Sequence, residues 1–291
     1  MPELASRAHM QHLIPVIQTA FDTAHIAKTA IDAVAFSQSP GLIGSLLVGA
    51  GFAKSFAQAM NIPLIAVKHV KAHVLAHFID APHPAFPFLC LTVSGGHTQL
   101  VLCHDHLNHE IIGSTIDDAA GEAFDKISKT IGLAYPGGPI LDQLAQKGNP
   151  LAFQFPIGNI EGYNYSFSGI KTAVLYFVQK QQKQHTNFIQ DNLNDLCASV
   201  QYTIVQTLMK KLEKAAKDLN VQHIGIAGGV SANSGLRKAI IQRGKDLGWQ
   251  TYIPKFEYCT DNAAMIGIAA HYQYLQQDFA NLDSVPSAKS E

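Results

Sequence analysis

Residues 31–67 read IDAVAFSQSPGLIGSLLVGAGFAKSFAQAMNIPLIAV, and this stretch indicates the class of fold to expect. The apolar run at 31–36 predicts a short buried strand, and the loop SQSPG then leads into a predicted helix of small residues at 41–60. A second apolar run at 64–67 predicts the next strand. Strand, helix and strand in this order are typical of a βαβ unit, so we predict an α/β protein with a parallel or mixed sheet.

Elements of both kinds are also predicted on either side of this unit. Two apolar β runs joined by SGGHT, at residues 88–93 and 99–103, predict a hairpin. The chain from 148 to about 187 is loop-rich in composition and is predicted to lack regular structure. Helices are predicted at 3–24, 117–131, from 140, at 194–219 and at 262–277, and further strands at 223–227 and ending at 253–254.

Size, composition and charge exclude several classes of protein. The 291 residues are 47 % hydrophobic and only 15 % charged, which is enough apolar material for a large core and excludes a disordered chain. The net charge is −1, so bulk electrostatics cannot supply affinity for nucleic acid or for an anionic membrane, and any RNA contact must be local.

Targeting and redox signals are those of a cytoplasmic protein with no membrane partner. The longest apolar stretch, residues 41–53, is shorter than the roughly 20 residues that span a bilayer, and the N-terminus has no apolar signal core. No CxxC pair occurs, which argues against a disulfide framework and against a thiolate zinc site. The cysteines are Cys90, Cys103, Cys197 and Cys259.

The segment VKHVKAHVLAH contains a possible metal site. His69 and His73 are four residues apart, so on a helix both imidazoles project from one face with their Cβ atoms about 6 Å apart. For an isolated pair of this kind, ordinary surface or core histidines are the more common outcome. Asp261 is the best distant candidate for a further ligand, although its spacing before a predicted helix favours a helix N-cap.

Three glycine pairs, each beside a predicted strand end, suggest a nucleotide site. The pair in GGVSANSGLR lies between a predicted buried strand and a helix N-terminus, where free N–H groups and the helix dipole favour an anion. Neither a GxxxxGK[ST] loop nor a GxGxxG loop is present, so the commonest nucleotide-binding motifs are disfavoured. The pairs are Gly95-Gly96, Gly137-Gly138 and Gly228-Gly229.

The segment IDDAAGEAFDK would place three carboxylates on one helical face. Asp118, Glu122 and Asp125 lie at positions i, i+4 and i+7, and ribose hydroxyls or a metal are candidate partners. A solvated face offset by Lys126 and Lys129 is an equally good interpretation of the spacing. Asp142, which follows the second glycine pair, could also reach a ribose.

Taken together, nine ordered blocks of the chain resemble the TsaD family, the tRNA N6-adenosine threonylcarbamoyltransferases. The resemblance runs from residue 2 to about residue 270. The blocks are PELASRAH, SPGLIGSLLVG, the pair His69 and His73, VSGGHTQL, DDAAGEAFDK, YPGGP, YSFSGIKTA, AGGVSAN and CTDNAAM.

This resemblance implies an α/β fold of two actin-like, ribonuclease-H-like lobes of the hexokinase and Hsp70 type. The first lobe would comprise residues 1–86 and 262–291, the second would comprise 87–261, and the active cleft would lie between them. Family members normally have a strand, a loop of the form GIETSCDET and a further strand and helix before PELASRAH. This sequence starts in that block, so the resemblance implies that the first lobe lacks its initial strands and that metal binding is retained better than transfer activity.

The resemblance also implies a reaction and a set of site residues. Threonylcarbamoyl-adenylate would donate its threonylcarbamoyl group to N6 of adenosine 37 in tRNAs that read codons beginning with A. One divalent metal, iron with zinc as the alternative, would be bound by His69, His73 and Asp261, and the proteins TsaB and TsaE are the implied partners. No nucleophilic residue is implied. The implied substrate-binding residues are Thr92, Val93, Ser94, Gly95, Gly96, Asp125, Gly138, Asp142 and Asn233.

Two alternatives of different classes stay open on the sequence alone. A truncated, non-catalytic paralogue could act as a partner-binding subunit, although the paired histidines argue for a metal-dependent enzyme. A zinc metallopeptidase is disfavoured because His69 is followed by Val70, so the HExxH motif and its general-base glutamate are missing.

Overall fold

The computed structural model describes residues 2–158 and 160–289. In chain order the helices and strands are α1 (Pro2–Ala24), β1 (Val34–Ser39), α2 (Ile43–Met60), β2 (Leu64–Lys68), α3 (His69–Leu75), β3 (Phe88–Val93), β4 (Thr98–Cys103), β5 (His109–Ser114), α4 (Ala120–Thr130), α5 (Gly137–Ala145), α6 (Ser168–Gln184), α7 (Phe188–Asp191), α8 (Leu193–Leu219), β6 (His223–Ala227), α9 (Ser234–Leu247), β7 (Gln250–Tyr252), α10 (Phe256–Cys259) and α11 (Ala263–Leu275).

The chain forms two compact units. One contains the residues up to Ile79 together with those from Asn262 onward, and the other runs from Asp80 to Asp261.

The first unit is built on the βαβ segment. Strands β1 and β2 pair in parallel, with Val34 opposite Leu64, and α2 connects them. Helix α2 packs through small residues, burying Ala50, Ala53 and Ala57, so its backbone approaches the strands closely. The predicted βαβ unit is confirmed, although β1 begins at Val34 rather than at residue 31.

The second unit is built on a five-stranded mixed sheet in the order β5-β4-β3-β6-β7. Strands β3, β4 and β5 form an antiparallel meander, whereas β6 pairs in parallel with both β3 and β7. Every residue of β3 is buried, as expected for a central strand with both faces covered. Helix α8 supplies much of that cover, with Leu196, Ile204 and Leu208 fully buried in the core cluster.

Three features of this unit differ from the sequence predictions. Residues 168–184, predicted to be loop, form the helix α6, which buries Ile170, Val174 and Val178 at a spacing of four. Strand β5 has no counterpart among the predicted strands. The pair Gly137-Gly138 does not lie at a strand end but opens helix α5.

Candidate active site

The parallel pairing of β3 with β6 brings two glycine-containing loops to one edge of the sheet. Thr92 lies opposite Ala227, so both strands end at the same edge, where α/β sheets commonly bind ligands. Thr92 and Val93 are themselves buried strand residues. The turn that follows β3 is closed by Ser94, whose N–H donates to the His97 carbonyl at 2.8 Å.

Two further glycines allow other segments to approach that turn closely. Gly228 has φ +84°, and a Cβ there would lie 2.5 Å from the Val93 carbonyl oxygen. A Cβ on Gly121 would lie 2.5 Å from the Ser94 carbonyl oxygen. Gly95 instead faces open space, with no atom of the described residues within 4 Å of a built Cβ. The turn is therefore tightly packed from behind and accessible in front.

Asp125 joins helix α4 to the start of helix α5. Its Oδ1 accepts the backbone N–H groups of Gly137 at 2.9 Å and of Gly138 at 3.0 Å. These N–H groups belong to the first turn of α5, which has no other intrahelical acceptor for them. A Cβ on Gly137 would lie 2.2 Å from the Cβ of Ser128, so glycine is required for this approach. Oδ2 of Asp125 accepts no hydrogen bond from the described residues.

Asp142 and Asn233 join α5 to the start of α9. The Asp142 carboxylate accepts the Ser234 N–H at 3.1 Å and the Ser234 hydroxyl at 2.7 Å. Asn233 is the N-cap of α9, where its Oδ1 accepts the Leu236 N–H at 2.9 Å, and its Nδ2 donates to Gln201. Asn233 is buried, so its amide is held in one orientation.

A pocket of about 380 Å³ opens between these elements, wholly within residues 80–261. It brings together five of the predicted substrate-binding residues, namely Gly95, Asp125, Gly138, Asp142 and Asn233. Thr92, Val93, Ser94 and Gly96 do not line it. Its apolar walls have no signal in the sequence, because they come from segments far apart in the chain; these walls include Phe124, Pro136, Pro139, Val230 and Ala232. Apolar walls with a few convergent polar groups are typical of small-molecule sites.

The three carboxylates of IDDAAGEAFDK do not act as one face. Asp118 precedes α4 rather than lying in it, and Lys126 pairs with Asp118 at 2.8 Å and with Glu122 at 2.6 Å. The hydrogen bond to Asp118, followed by that to Glu122, raises the pKa of Lys126. Lys171 also pairs with Asp118, at 3.5 Å. Two lysines therefore offset Asp118 and Glu122, and of the three carboxylates only Asp125 lines the pocket.

His69 and His73 lie on α3, where the four-residue spacing places both rings on one side. Their Nε2 atoms are 3.2 Å apart. Asp261 directly precedes Asn262, the N-cap of α11, and α11 packs against α3. One ligand atom each from His69, His73 and Asp261 lie within 4.8 Å of one another. His77, in the same stretch, is buried and does not belong to this group.

These donors suit a divalent metal. Two imidazole nitrogens bound to one tetrahedral ion at 2.0–2.1 Å are about 3.3 Å apart, close to the separation of the two Nε2 atoms. Two histidines and one carboxylate leave further positions open for substrate. The N-cap role that spacing favoured for Asp261 belongs to Asn262, whose side chain accepts the Met265 N–H at 2.9 Å.

Comparison with known proteins assigns the chain to a family. The sequence profile for TsaD, tRNA N6-adenosine threonylcarbamoyltransferase, matches residues 1–268. The chain belongs to the TsaD family. A protein of that name from Cytophaga hutchinsonii is 56 % identical over 289 residues, which are 99 % of this chain and 84 % of that protein. One from Riemerella anatipestifer is 57 % identical over 294 residues, which are 100 % of this chain and 86 % of that protein.

Solved structures with low sequence identity share the fold. Full-length HypF in its phosphate- and nucleotide-bound form matches 92 % of this TsaD-family chain and 42 % of its own length, with a TM-score of 0.66 at 13 % identity. The component A of (R)-2-hydroxyglutaryl-CoA dehydratase from Acidaminococcus fermentans matches 90 % of this chain and 83 % of its own length, with a TM-score of 0.51 at 15 % identity. The predicted actin-like α/β class is confirmed.

The transferase class is likewise confirmed, since the curated relatives carry that name. The alternatives of a metallopeptidase and a non-catalytic subunit are not favoured. Among the described residues, no helix is both long enough and apolar enough to span a bilayer.

Proposed function

We propose that this TsaD-family chain transfers the threonylcarbamoyl group of threonylcarbamoyl-adenylate to N6 of adenosine 37 in tRNAs that read codons beginning with A. The observation that carries the proposal is the pocket in which Asp125, Asp142 and Asn233 converge beside Gly95. A family of acyltransferases acting on adenosine needs a site for an activated donor, and this pocket has the chemistry for an adenylate.

The pocket suits each part of an adenylate. Its apolar walls, such as Phe124 and Val230, can cover the faces of an adenine ring. Oδ2 of Asp125 and the remaining acceptor sites of Asp142 can accept hydrogen bonds from the ribose hydroxyls. The exposed turn at Gly95 lets a phosphate approach backbone N–H groups, because no side chain stands in the way.

Transfer from such a donor needs positioning more than covalent chemistry. The bond between N6 and the carbamoyl carbon forms while the bond from that carbon to the phosphate oxygen breaks. AMP leaves with the bonding electron pair, and the N6 proton is lost to solvent. Fixing the ribose through Asp125 and Asp142 orients the reactive carbonyl for the incoming amine. No nucleophilic serine or cysteine is required, and the thiol of Cys90 is buried.

His69, His73 and Asp261 would hold one divalent metal, which we assign as iron with zinc as the alternative. When bound, such an ion would polarise the donor's carbonyl and offset the charge that develops on the leaving phosphate. The three side chains supply two neutral nitrogens and one carboxylate, a set that binds iron, zinc and other divalent transition metals.

We include TsaB and TsaE as partner proteins, because the resemblance to the bacterial machinery that makes threonylcarbamoyladenosine implies them. Because the acceptor is tRNA, the reaction belongs in the cytoplasm.

The test is direct transfer. The purified chain, with these partners, is incubated with synthetic threonylcarbamoyl-adenylate and an unmodified transcript of a tRNA that reads codons beginning with A. Digested nucleosides are then analysed by mass spectrometry. We expect threonylcarbamoyladenosine from this transcript and none from a transcript with guanosine at position 37. Equal product from both transcripts, or none above the enzyme-free control, would overturn the proposal.

A further inference from the structure

A second cavity, which we call the acceptor groove, adjoins the pocket of about 380 Å³, which we call the adenylate pocket. The groove has a volume of about 750 Å³ and is bordered by Gly95, Glu122, Asp125, Lys126, Lys129 and Tyr135. Gly95 and Asp125 line both cavities, so the groove meets the pocket at the turn where the donor's phosphate is placed. A second substrate in the groove would therefore lie next to the donor's reactive end.

Tyr135 is the most exposed large side chain of this region. It is 86 % exposed, and no ring contact or hydrogen bond of its side chain is formed with the described residues. A tyrosine ring in water leaves a flat apolar face uncovered, and burying such a face is favourable. Tyr135 lies two residues before α5, whose first turn is bonded to Asp125. Its backbone is therefore held in a fixed position beside the groove.

The charges along the groove are not equivalent. Lys126 is neutralised by its ion pairs with Asp118 and Glu122. Lys129, one turn further along α4, is exposed and forms no ion pair with the described residues. The groove thus offers one aromatic platform and one available cation. This pairing is what proteins use for single-stranded RNA, where bases stack on aromatic rings and lysines meet phosphates.

We propose that the acceptor groove receives an unstacked nucleobase of the tRNA anticodon loop, which stacks on Tyr135 while Lys129 meets a neighbouring phosphate. This inference rests on the proposed function, since it takes RNA as the acceptor. A base must leave its stack before its exocyclic amine can reach an enzyme-bound donor. The ring of Tyr135 replaces the lost stacking. Because the groove and the adenylate pocket share Gly95, the amine of the bound base would lie close to the acyl group of the donor.

The experiment compares variants in binding and in transfer. Affinity for an unmodified anticodon stem-loop is measured by fluorescence anisotropy, and kcat/KM for tRNA is measured with saturating synthetic adenylate. Tyr135→Ala removes the stacking surface, whereas Tyr135→Phe keeps it. Tyr176→Ala is the matched control, because Tyr176 is also an exposed tyrosine, at 66 %, but lies on α6 and outside the groove.

We expect Tyr135→Ala to weaken stem-loop binding and kcat/KM by roughly 5- to 150-fold, the range for one stacked base. Tyr135→Phe and Tyr176→Ala should stay within about threefold of the parent chain. AMP affinity should be unchanged in all three, which separates loss of the acceptor from damage to the donor pocket. Equal binding by Tyr135→Ala and Tyr176→Ala would overturn the proposal.

Lys129 is tested through salt dependence. Lys129→Gln should lower the slope of log affinity against log salt by about 0.7, the value for one phosphate contact with a single strand. Lys180→Gln, at an exposed lysine of α6, is the control and should leave the slope unchanged. If Lys129→Gln has the same slope as the parent chain, the proposed contact between Lys129 and a phosphate is wrong. If the parent chain binds the stem-loop and Tyr135→Ala weakens it, but no product forms, the proposed reaction fails while the groove stands.

Discussion

Replacing Asp125 with alanine should damage both the adenylate pocket and the helix that forms one side of it. Oδ1 accepts two N–H groups from the first turn of α5, and Oδ2 is left for a ligand. The variant therefore removes a helix cap and a ribose contact in one step, and the two losses can be measured separately.

The expected magnitudes follow from the two roles. Loss of a side-chain cap costs about 0.5–2 kcal/mol of unfolding free energy. Loss of a hydrogen bond to a charged group costs about 1.5–3 kcal/mol, which corresponds to a roughly 10- to 150-fold weaker adenylate. Asp125→Asn keeps an oxygen for the two glycine N–H groups, so we expect it to retain most of the stability while still weakening binding.

Asp105 supplies a matched control outside the pocket. Its Oδ1 also accepts two backbone N–H groups, from Leu107 at 2.7 Å and from Asn108 at 2.8 Å, in the turn between β4 and β5. Asp105→Ala should lower stability by a similar amount and leave AMP affinity unchanged. Stability is measured by urea unfolding and AMP affinity by titration calorimetry. AMP affinity that is equal in the Asp125→Ala and Asp105→Ala variants would refute the placement of the ribose.

Four other outcomes are expected. Elemental analysis should find no bound metal in His73→Ala and full occupancy in His77→Gln. Full occupancy in His73→Ala would contradict the assignment of His73 as a metal ligand. Burial raises the pKa of the Cys90 thiol to about 12, so Ellman's reagent should label the native chain slowly and all four thiols after denaturation; rapid native labelling would contradict the burial. Gly121→Ala should cost about 1–3 kcal/mol in urea unfolding, since its Cβ would overlap the turn after β3; an unchanged midpoint would show that the turn yields freely. Burial acts to raise the pKa of Asp117, but hydrogen bonds from neighbouring serines and a backbone N–H outweigh it and leave the pKa below 3.8. The ionised Asp117 therefore stabilises the fold above pH 3.8, and this stabilisation is lost below it, so Asp117→Asn should flatten the fall in unfolding free energy at acid pH. An unaltered fall would contradict this.

Local patterns predict the elements whose apolar residues repeat strongly. The βαβ segment and α8 are predictable because long apolar periodicities leave few alternatives. Helix α6 escapes prediction because only three buried residues, Ile170, Val174 and Val178, mark its inner face in a stretch otherwise rich in glutamine and lysine. A stripe that narrow becomes evident only when the core it packs against is known.

In the candidate site, too, local sequence patterns predict some features and miss those that depend on contacts between distant segments. The four-residue spacing predicts that His69 and His73 face one side of a helix, which is a local property. Spacing alone groups Asp125 with Asp118 and Glu122, but the packing of α5 against α4 separates Asp125 from them. Contacts between segments far apart in the chain, such as Asp142 with Ser234, have no local signature. Their prediction as substrate-binding positions comes from the family resemblance.

The most direct test of the central claim is a crystal structure of the chain with AMP. We predict electron density for the nucleotide in the 380 Å³ pocket, with the ribose hydroxyls within hydrogen-bond distance of Asp125 and Asp142 and the phosphate at the turn containing Gly95. Nucleotide density elsewhere on the chain, with this pocket holding only solvent, would contradict the account.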